Sequence, residues 1–275
     1  MMEPDIILDT TWRARCLQCC IRQLRLFFIA LQFFTRIQIP RWVGFDERWL
    51  QHASRYFPAV GIVVALVTVL VYVIASLLWT QSIAVLLSTI AGIYLTGAFH
   101  EDGFADTCDG FGGGTSSERV LEIMKDSRIG AYGAIGIGLM LALKWMTLSS
   151  LPSPVVVVTL LVAHPVSRLA AVSLVWRMDY AKANGKAKPI GQEMSNQEFC
   201  IATATTLLPI VILCLTGLMP LLAILTGSLF AALVSLWLAR MFQRRIGGYT
   251  GDCLGAVQQV AEVAFYLGVL ATIAY

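Results

Sequence analysis

Seven stretches of the chain, 57–79, 82–99, 129–151, 154–176, 199–217, 220–239 and 254–275, are long, apolar and nearly free of charge. A helix rises about 1.5 Å per residue, so roughly 20 such residues cross the hydrocarbon core of a bilayer. Lipid offers the backbone no hydrogen-bond partners, which leaves helices or closed barrels as spanning structures. β-Branched runs such as Val155–Val158 would suit strands, but the length and continuity of the segments predict helices. An eighth stretch, 24–34, is short and crowded by Arg22, Arg25 and Arg36, and is expected to be an interfacial or re-entrant helix.

Composition agrees. Hydrophobic residues make up 57% and charged residues 13% of the 275, against about 25% charged in a soluble domain. Mean hydropathy is +0.74. This excludes a soluble enzyme, a disordered chain and a secreted disulfide scaffold. The expected fold is all-α: one polytopic membrane helix bundle over 1–275, with about seven spans following an N-terminal cytoplasmic or interfacial segment, 1–56. A net charge of +3 without a basic patch argues against nucleic acid. The seven cysteines are irregularly spaced and are expected to be reduced thiols, Cys16, Cys19 and Cys20 lacking a second pair for zinc. The first 30 residues do not read as a cleavable signal.

Charge on the connections orients the bundle. Eighteen of the 20 Lys and Arg fall on alternate connections: before 57, and in 100–128, 177–198 and 240–253; the turns at 80–81, 152–153 and 218–219 carry none. The positive-inside rule makes the charged set cytoplasmic, with the N-terminus inside and the C-terminus outside. Sixteen of the 17 acids lie on the same side, so the chemistry is expected there, in the acidic segment 100–128.

That segment begins His100-Glu-Asp102-Gly-Phe-Ala-Asp106-Thr-Cys-Asp109-Gly-Phe and continues into Gly112–Gly114. If the second span continues inward as a helix, Asp102, Asp106 and Asp109 stand at i, i+4 and i+7 on one face. They would also sit at a helix C-terminus, where the macrodipole favours cations. A bound divalent cation relieves both penalties, and carboxylates with waters are natural magnesium ligands. The glycines are expected to let the chain turn and present N–H groups to a phosphate. Entering the third span, Asp126 is a candidate fourth ligand, while Lys125 and Arg128 either hold phosphate oxygens or snorkel. Entering the last span, Gly247-Gly-Tyr-Thr-Gly-Asp252-Cys-Leu-Gly255 places one acid at a helix start, for a metal or a phosphate.

Within the spans, Arg168 and Glu262 lie at similar depth and are expected to face each other, as an ion pair or in substrate binding. Lys144 is expected to snorkel outward. His100 is a candidate general base beside the acids, His164 a cap for a kink at Pro165, and His52, Trp42, Trp49 and Tyr56 interfacial anchors.

Taken together, the His100–Gly110 run, Met124-Lys-Asp-Ser-Arg-Ile-Gly130, Ser167-Arg168, the 247–255 loop and a Phe-Thr-Arg-Ile-Gln-Ile-Pro stretch from Phe34 resemble the membrane cobalamin synthases, the adenosylcobinamide-GDP ribazoletransferases. The resemblance implies a magnesium-dependent transfer. A ribazole hydroxyl, of α-ribazole or its 5′-phosphate, attacks the cobinamide-side phosphorus of adenosylcobinamide-GDP and GMP leaves. It implies catalytic roles for Asp102, Asp106, Asp109 and His100. Metal ligation falls to Asp102, Asp106, Asp109 and Asp126, and substrate binding to Lys125, Arg128, Arg168 and Asp252. It also implies residence in a bacterial inner membrane, the active site on the cytoplasmic face and the C-terminus in the periplasm; the oligomeric state stays open. Glu101 departs from the family, where an apolar residue is familiar. Two rivals remain. A CDP-alcohol phosphotransferase would need an arginine after Ala105, which is absent, and a cation-coupled transporter would want its acids at the midplane.

The loop asymmetry carries a test. A cysteine placed at Ser153 should react with membrane-impermeant reagents from the outer side; labelling only from the cytoplasm would invert the assignment.

Overall fold

The computed structural model describes residues 12–44, 46–181 and 194–273. Lys182, Lys186 and Lys188, counted above for orientation, and the chain end at 274–275 lie outside them. Among the described residues the fold is entirely helical: α1 (Trp12–Phe34), α2 (Glu47–Ala53), α3 (Phe57–Ser76), α4 (Gln81–Thr96), α5 (Phe99–Gly113), α6 (Ser117–Ile123), α7 (Ala131–Ser149), α8 (Ser153–Arg177), α9 (Asn196–Leu215), α10 (Leu221–Ile246) and α11 (Gly251–Ile273). The only sheet-like pairing among them is an isolated parallel bridge, Tyr180 with Tyr249.

Six of the seven expected spans are present as helices α3, α7, α8, α9, α10 and α11. The segment expected to lie at the interface, 24–34, is the end of a longer helix, and Arg15–Phe34 is itself long and apolar enough to cross a membrane. The expected second span is shorter than read. α4 ends at Thr96 because Gly97 and Ala98 both adopt left-handed backbone (φ 66° and 59°), and α5 leaves at 89° to it. Arg36 completes this break: its N–H donates to the Leu95 carbonyl at 2.8 Å, and its guanidinium lies over the Tyr94 ring. The acids therefore do not extend a span's C-terminus. Glu101 and Asp102 occupy the first turn of a new helix, where the macrodipole favours anions.

α8 and α11 form the centre of the bundle, with 67% and 72% of their apolar windows buried, against 22% for α7 and α9, whose outer faces are left for lipid. Small residues let the central helices approach. A Cβ on Gly268 would stand 2.7 Å from the Gly227 Cα, and one on Gly61 would stand 2.7 Å from the His164 carbonyl oxygen. α8 runs through Pro165 as one helix. At the start of α9 Glu198 caps the helix with Ser195 and also accepts from His52 Nδ1 at 2.7 Å and from Arg55, tying α9 to the N-terminal region. His52 is thus a hydrogen-bond partner of Glu198 rather than only an interfacial anchor.

The centre is not wholly apolar. Glu262 of α11 is 1% exposed. Its Oε1 accepts from Lys144 Nζ of α7 at 2.5 Å and from Tyr266 at 2.7 Å; its Oε2 accepts from Gln258 at 2.6 Å and lies 3.2 Å from His164 Nδ1 of α8, without a hydrogen bond to it. Lys144 therefore does not snorkel; the carboxylate draws it inward. Arg168 does not pair with Glu262, and its Nη1 donates to the His164 carbonyl at 3.1 Å. His164 serves the carboxylate, not a kink. Gln258 also reaches Ser167 at 3.2 Å, and Gln259 joins the Gln258 side chain (2.9 Å) to Glu101 of α5 (2.8 Å).

Breaking such a pair strands a charge in low dielectric, at a cost of about 3–5 kcal/mol. Lys144→Met should lower the chain's stability in micelles by that amount, read by denaturant unfolding. A loss within error of zero would remove Lys144 from the structural core.

Candidate active site

Two glycine-lined contacts build the acidic face. α5 crosses the start of α11 so closely that a Cβ on Gly103 would meet the Asp252 backbone at 2.9 Å, and one on Gly255 would meet the His100 carbonyl at 3.0 Å. The crossing places Asp102 and Asp106 of α5 beside Asp252 of α11. Thr250 starts α11 by accepting the Cys253 N–H, and α10 ends at Gly247 with φ 73°. Tyr249 bonds through its backbone to both neighbours of Tyr180, the residue it bridges, which holds the loop against α8's end (Ala181 N–H to Tyr249 C=O, 2.8 Å; Tyr249 N–H to Asp179 C=O, 3.0 Å).

Asp102 is exposed, Asp106 and Asp252 half-buried. None of the three enters an ion pair among the described residues, in contrast to Glu262 and Glu198. Burial first, then the charges of Asp102, Asp252 and Asp109, push the Asp106 carboxyl up to about 6. No three His, Cys, Asp or Glu among the described residues are drawn together into a ready metal cage. Among the described residues the face is a set of carboxylates without cationic partners, open to an ion that brings its own waters.

The other candidates are placed differently. Asp109 is buried and faces α7, where its Oδ2 accepts the Gly130 N–H (2.7 Å) and its Oδ1 the Gly133 N–H (2.8 Å). It caps the start of α7, satisfying donors that a helix N-terminus leaves open. Asp126 sits on the exposed loop before α7 and is bound by Arg128, whose side-chain and backbone donors hold its carboxyl below the usual range. By docking Gly130, Asp109 keeps the loop of Lys125 and Arg128 beside α5. Arg128 is 87% exposed and Lys125 exposed, so both are available to a ligand.

His100 turns into the bundle. It is 5% exposed, stacks on Phe34, and lines an intramembrane cavity with Glu101, Lys144, His164, Arg168, Gln258, Gln259 and Glu262. Arg168, 3% exposed, belongs to that cavity too. The glycines at 112–114 form the end of α5 rather than an anion nest. Cβ atoms on Gly112 and Gly114 would collide with Tyr132 and Val120, and the Gly114 carbonyl accepts from Arg245 at 2.7 Å. Sequence reading missed Gln258, Gln259 and Tyr266. Their signal was two adjacent amides and an acid at i and i+4 in an apolar run, with no indication of the partner helix.

The chain is 46% identical over 261 residues to an adenosylcobinamide-GDP ribazoletransferase of Shewanella frigidimarina, covering 91% of this chain and 96% of that protein. It is 43% identical over 256 residues to the protein of the same name from Leptothrix cholodnii, covering 91% and 97%. No solved structure matches. Residues 26–270, which contain both the acidic face and the buried network, match the cobalamin-5-phosphate synthase family, and the chain belongs to that family.

Proposed function

We propose that the chain is an adenosylcobinamide-GDP ribazoletransferase of a bacterial inner membrane, working from the cytoplasmic face. The observation that carries the reading is the carboxylate group Asp102, Asp106 and Asp252, held together by the α5–α11 crossing and without an ion-pair partner among the described residues, in a chain of this family. A phosphoanhydride would be repelled by three carboxylates, so the face suits such a substrate only together with a divalent cation. Magnesium fits: it keeps waters and is usually held by one or two carboxylates plus substrate phosphates rather than by an all-protein cage. Two of the three carboxylates Asp102, Asp106 and Asp252 would hold it, and when bound it would supply neutralisation of charge on the phosphates.

The chain's own residues do the rest. Lys125 and Arg128 bind phosphate oxygens of the diphosphate, Arg128 exchanging Asp126 for the ligand. The ribazole hydroxyl oxygen forms a bond to the cobinamide-side phosphorus as the bond to the GMP oxygen breaks. Its proton passes to a carboxylate of the trio not engaged with the cation. Asp109 positions the cationic loop without touching substrate. Such chemistry asks mainly for placement and charge neutralisation, which the crossing provides.

Asp106→Asn should abolish GMP release from adenosylcobinamide-GDP and α-ribazole while the unfolding midpoint is unchanged or raised, because repulsion is relieved. Near-normal turnover at limiting magnesium would refute the assignment, and CMP release from a CDP-alcohol would assign a different reaction.

A carboxyl near 6 is charged above that pH and protonated below it. Cation affinity should therefore be full at neutral pH and fall as pH drops through about 6. In Asp102→Asn, which removes the largest neighbouring charge, the midpoint of the pH–rate profile should move to lower pH; an unmoved midpoint would contradict the coupling.

Gly103→Val should part α5 from Asp252 and lower kcat at least tenfold, with the helical signal of the chain retained. Unimpaired turnover would show that the close crossing does not set the site.

A further inference from the structure

The cavity inside the bundle contains polar atoms that the protein leaves without partners. Glu101 is 9% exposed, Gln259 2% and Arg168 3%. Glu101 Oε1 accepts from Gln259 Nε2 at 2.8 Å, but Glu101 Oε2, Gln259 Oε1 and Arg168 Nε are buried with no hydrogen-bond partner among the described residues; His164 Nδ1 in the same cavity makes no hydrogen bond either but faces the Glu262 carboxylate at 3.2 Å. All three residues line the same cavity, with His100, Thr96 and Glu262. An unmet buried donor or acceptor is expensive, and a charged one more so. The three deficits form a complementary set: two acceptors and one N–H donor. The cavity's volume is about 20 Å³, above the roughly 10–15 Å³ that one water needs.

The chemistry of the set selects the occupant. A cation could satisfy Glu101 and Gln259 but would be repelled by the Arg168 guanidinium and could not accept from its Nε. The charges already balance, with Glu101 and Glu262 against Lys144 and Arg168, so an added ion of either sign would unbalance them. A water donates twice and accepts once, which matches the three atoms.

We infer that the cavity holds one ordered water joining Glu101 Oε2 and Gln259 Oε1 to Arg168 Nε, and that this bridge makes Glu101 and Arg168 positioning residues for α5. Glu101 immediately precedes Asp102, in the first turn of the helix that carries the acidic face. Gln259 ties that turn directly to α11, and the water ties it to α8. The bridge thereby couples a charged pair that makes no direct contact, and anchors the acidic helix to the two most buried helices of the bundle.

The test uses the purified full chain in nanodiscs. A density map that resolves waters should show one within hydrogen-bond reach of Glu101 Oε2 and Arg168 Nε; a dry cavity, or a direct Glu101–Arg168 salt bridge, would overturn the site. Thermal unfolding of Glu101→Leu, Arg168→Leu and the double variant reads the coupling without any assay of activity. Each single change strands a charge and should lower the midpoint by several degrees, and the double variant should recover at least half of the summed loss. Additive losses, or singles that fail to fold without rescue in the double, would overturn the pairing. The positioning role rests on the proposed transfer reaction. Its readout is Glu101→Gln, whose GMP release should show kcat reduced at least fivefold with KM for adenosylcobinamide-GDP within twofold. Unchanged kcat would overturn that role, whereas absence of GMP release from the wild-type chain would instead reject the reaction and leave the water site standing on the map and the midpoints.

Discussion

An ionised carboxylate deep in a bilayer must be surrounded by donors or its desolvation is not offset, and Glu262 imposes that requirement on this fold. Its two oxygens gather Lys144 from α7, His164 from α8, and Gln258 and Tyr266 from its own helix. Apolar surface cannot fix how spans pack, because lipid tails are as apolar as leucine. The directional bonds to Glu262, together with the glycine contacts of Gly61 and Gly268, supply the specificity that hydrophobicity lacks here. Through Gln259 the same network reaches Glu101, so the helix bearing the acidic face is registered against α11 from beneath.

The fold thus holds two kinds of acid. Glu262 and Glu198 are saturated by cations and donors, and their work is to hold helices. Asp102, Asp106 and Asp252 are brought together with no cation paired to them among the described residues. Burial and, after it, their mutual charge raise the Asp106 carboxyl, and perturbed groups of this kind concentrate at sites where a ligand supplies the missing charge. Asp109 lies between the two classes: it sits on the acidic helix, yet spends both oxygens on α7's amides. Its contribution to any chemistry passes through the loop it holds.

Helix α5 shows where sequence periodicity stops being informative. Spacing correctly put Asp102, Asp106 and Asp109 on one helix, but the helix was read as a continuation of α4. Two successive left-handed residues, one of them the non-glycine Ala98, redirect the chain by 89°. Ala98 carries no sequence signal for that conformation; Arg36, distant in sequence, seals the turn. The reversal of dipole sense at Asp102 follows from this bend alone.

Six of the seven spans were legible in the sequence, because length and hydropathy act locally along the chain. The motifs were legible too, and carried the family. What only the tertiary structure decided is which motif residues meet. Asp252 joins Asp102 and Asp106 because glycines 103 and 255 let α11 and α5 touch. Asp126 is held by its neighbour Arg128, His100 faces the membrane interior, and Lys144 turns inward to a carboxylate over one hundred residues away. Each of these outcomes depends on a partner supplied by another helix or by a local loop geometry, and the spacing of residues along one helix fixes a face but not what that face will meet.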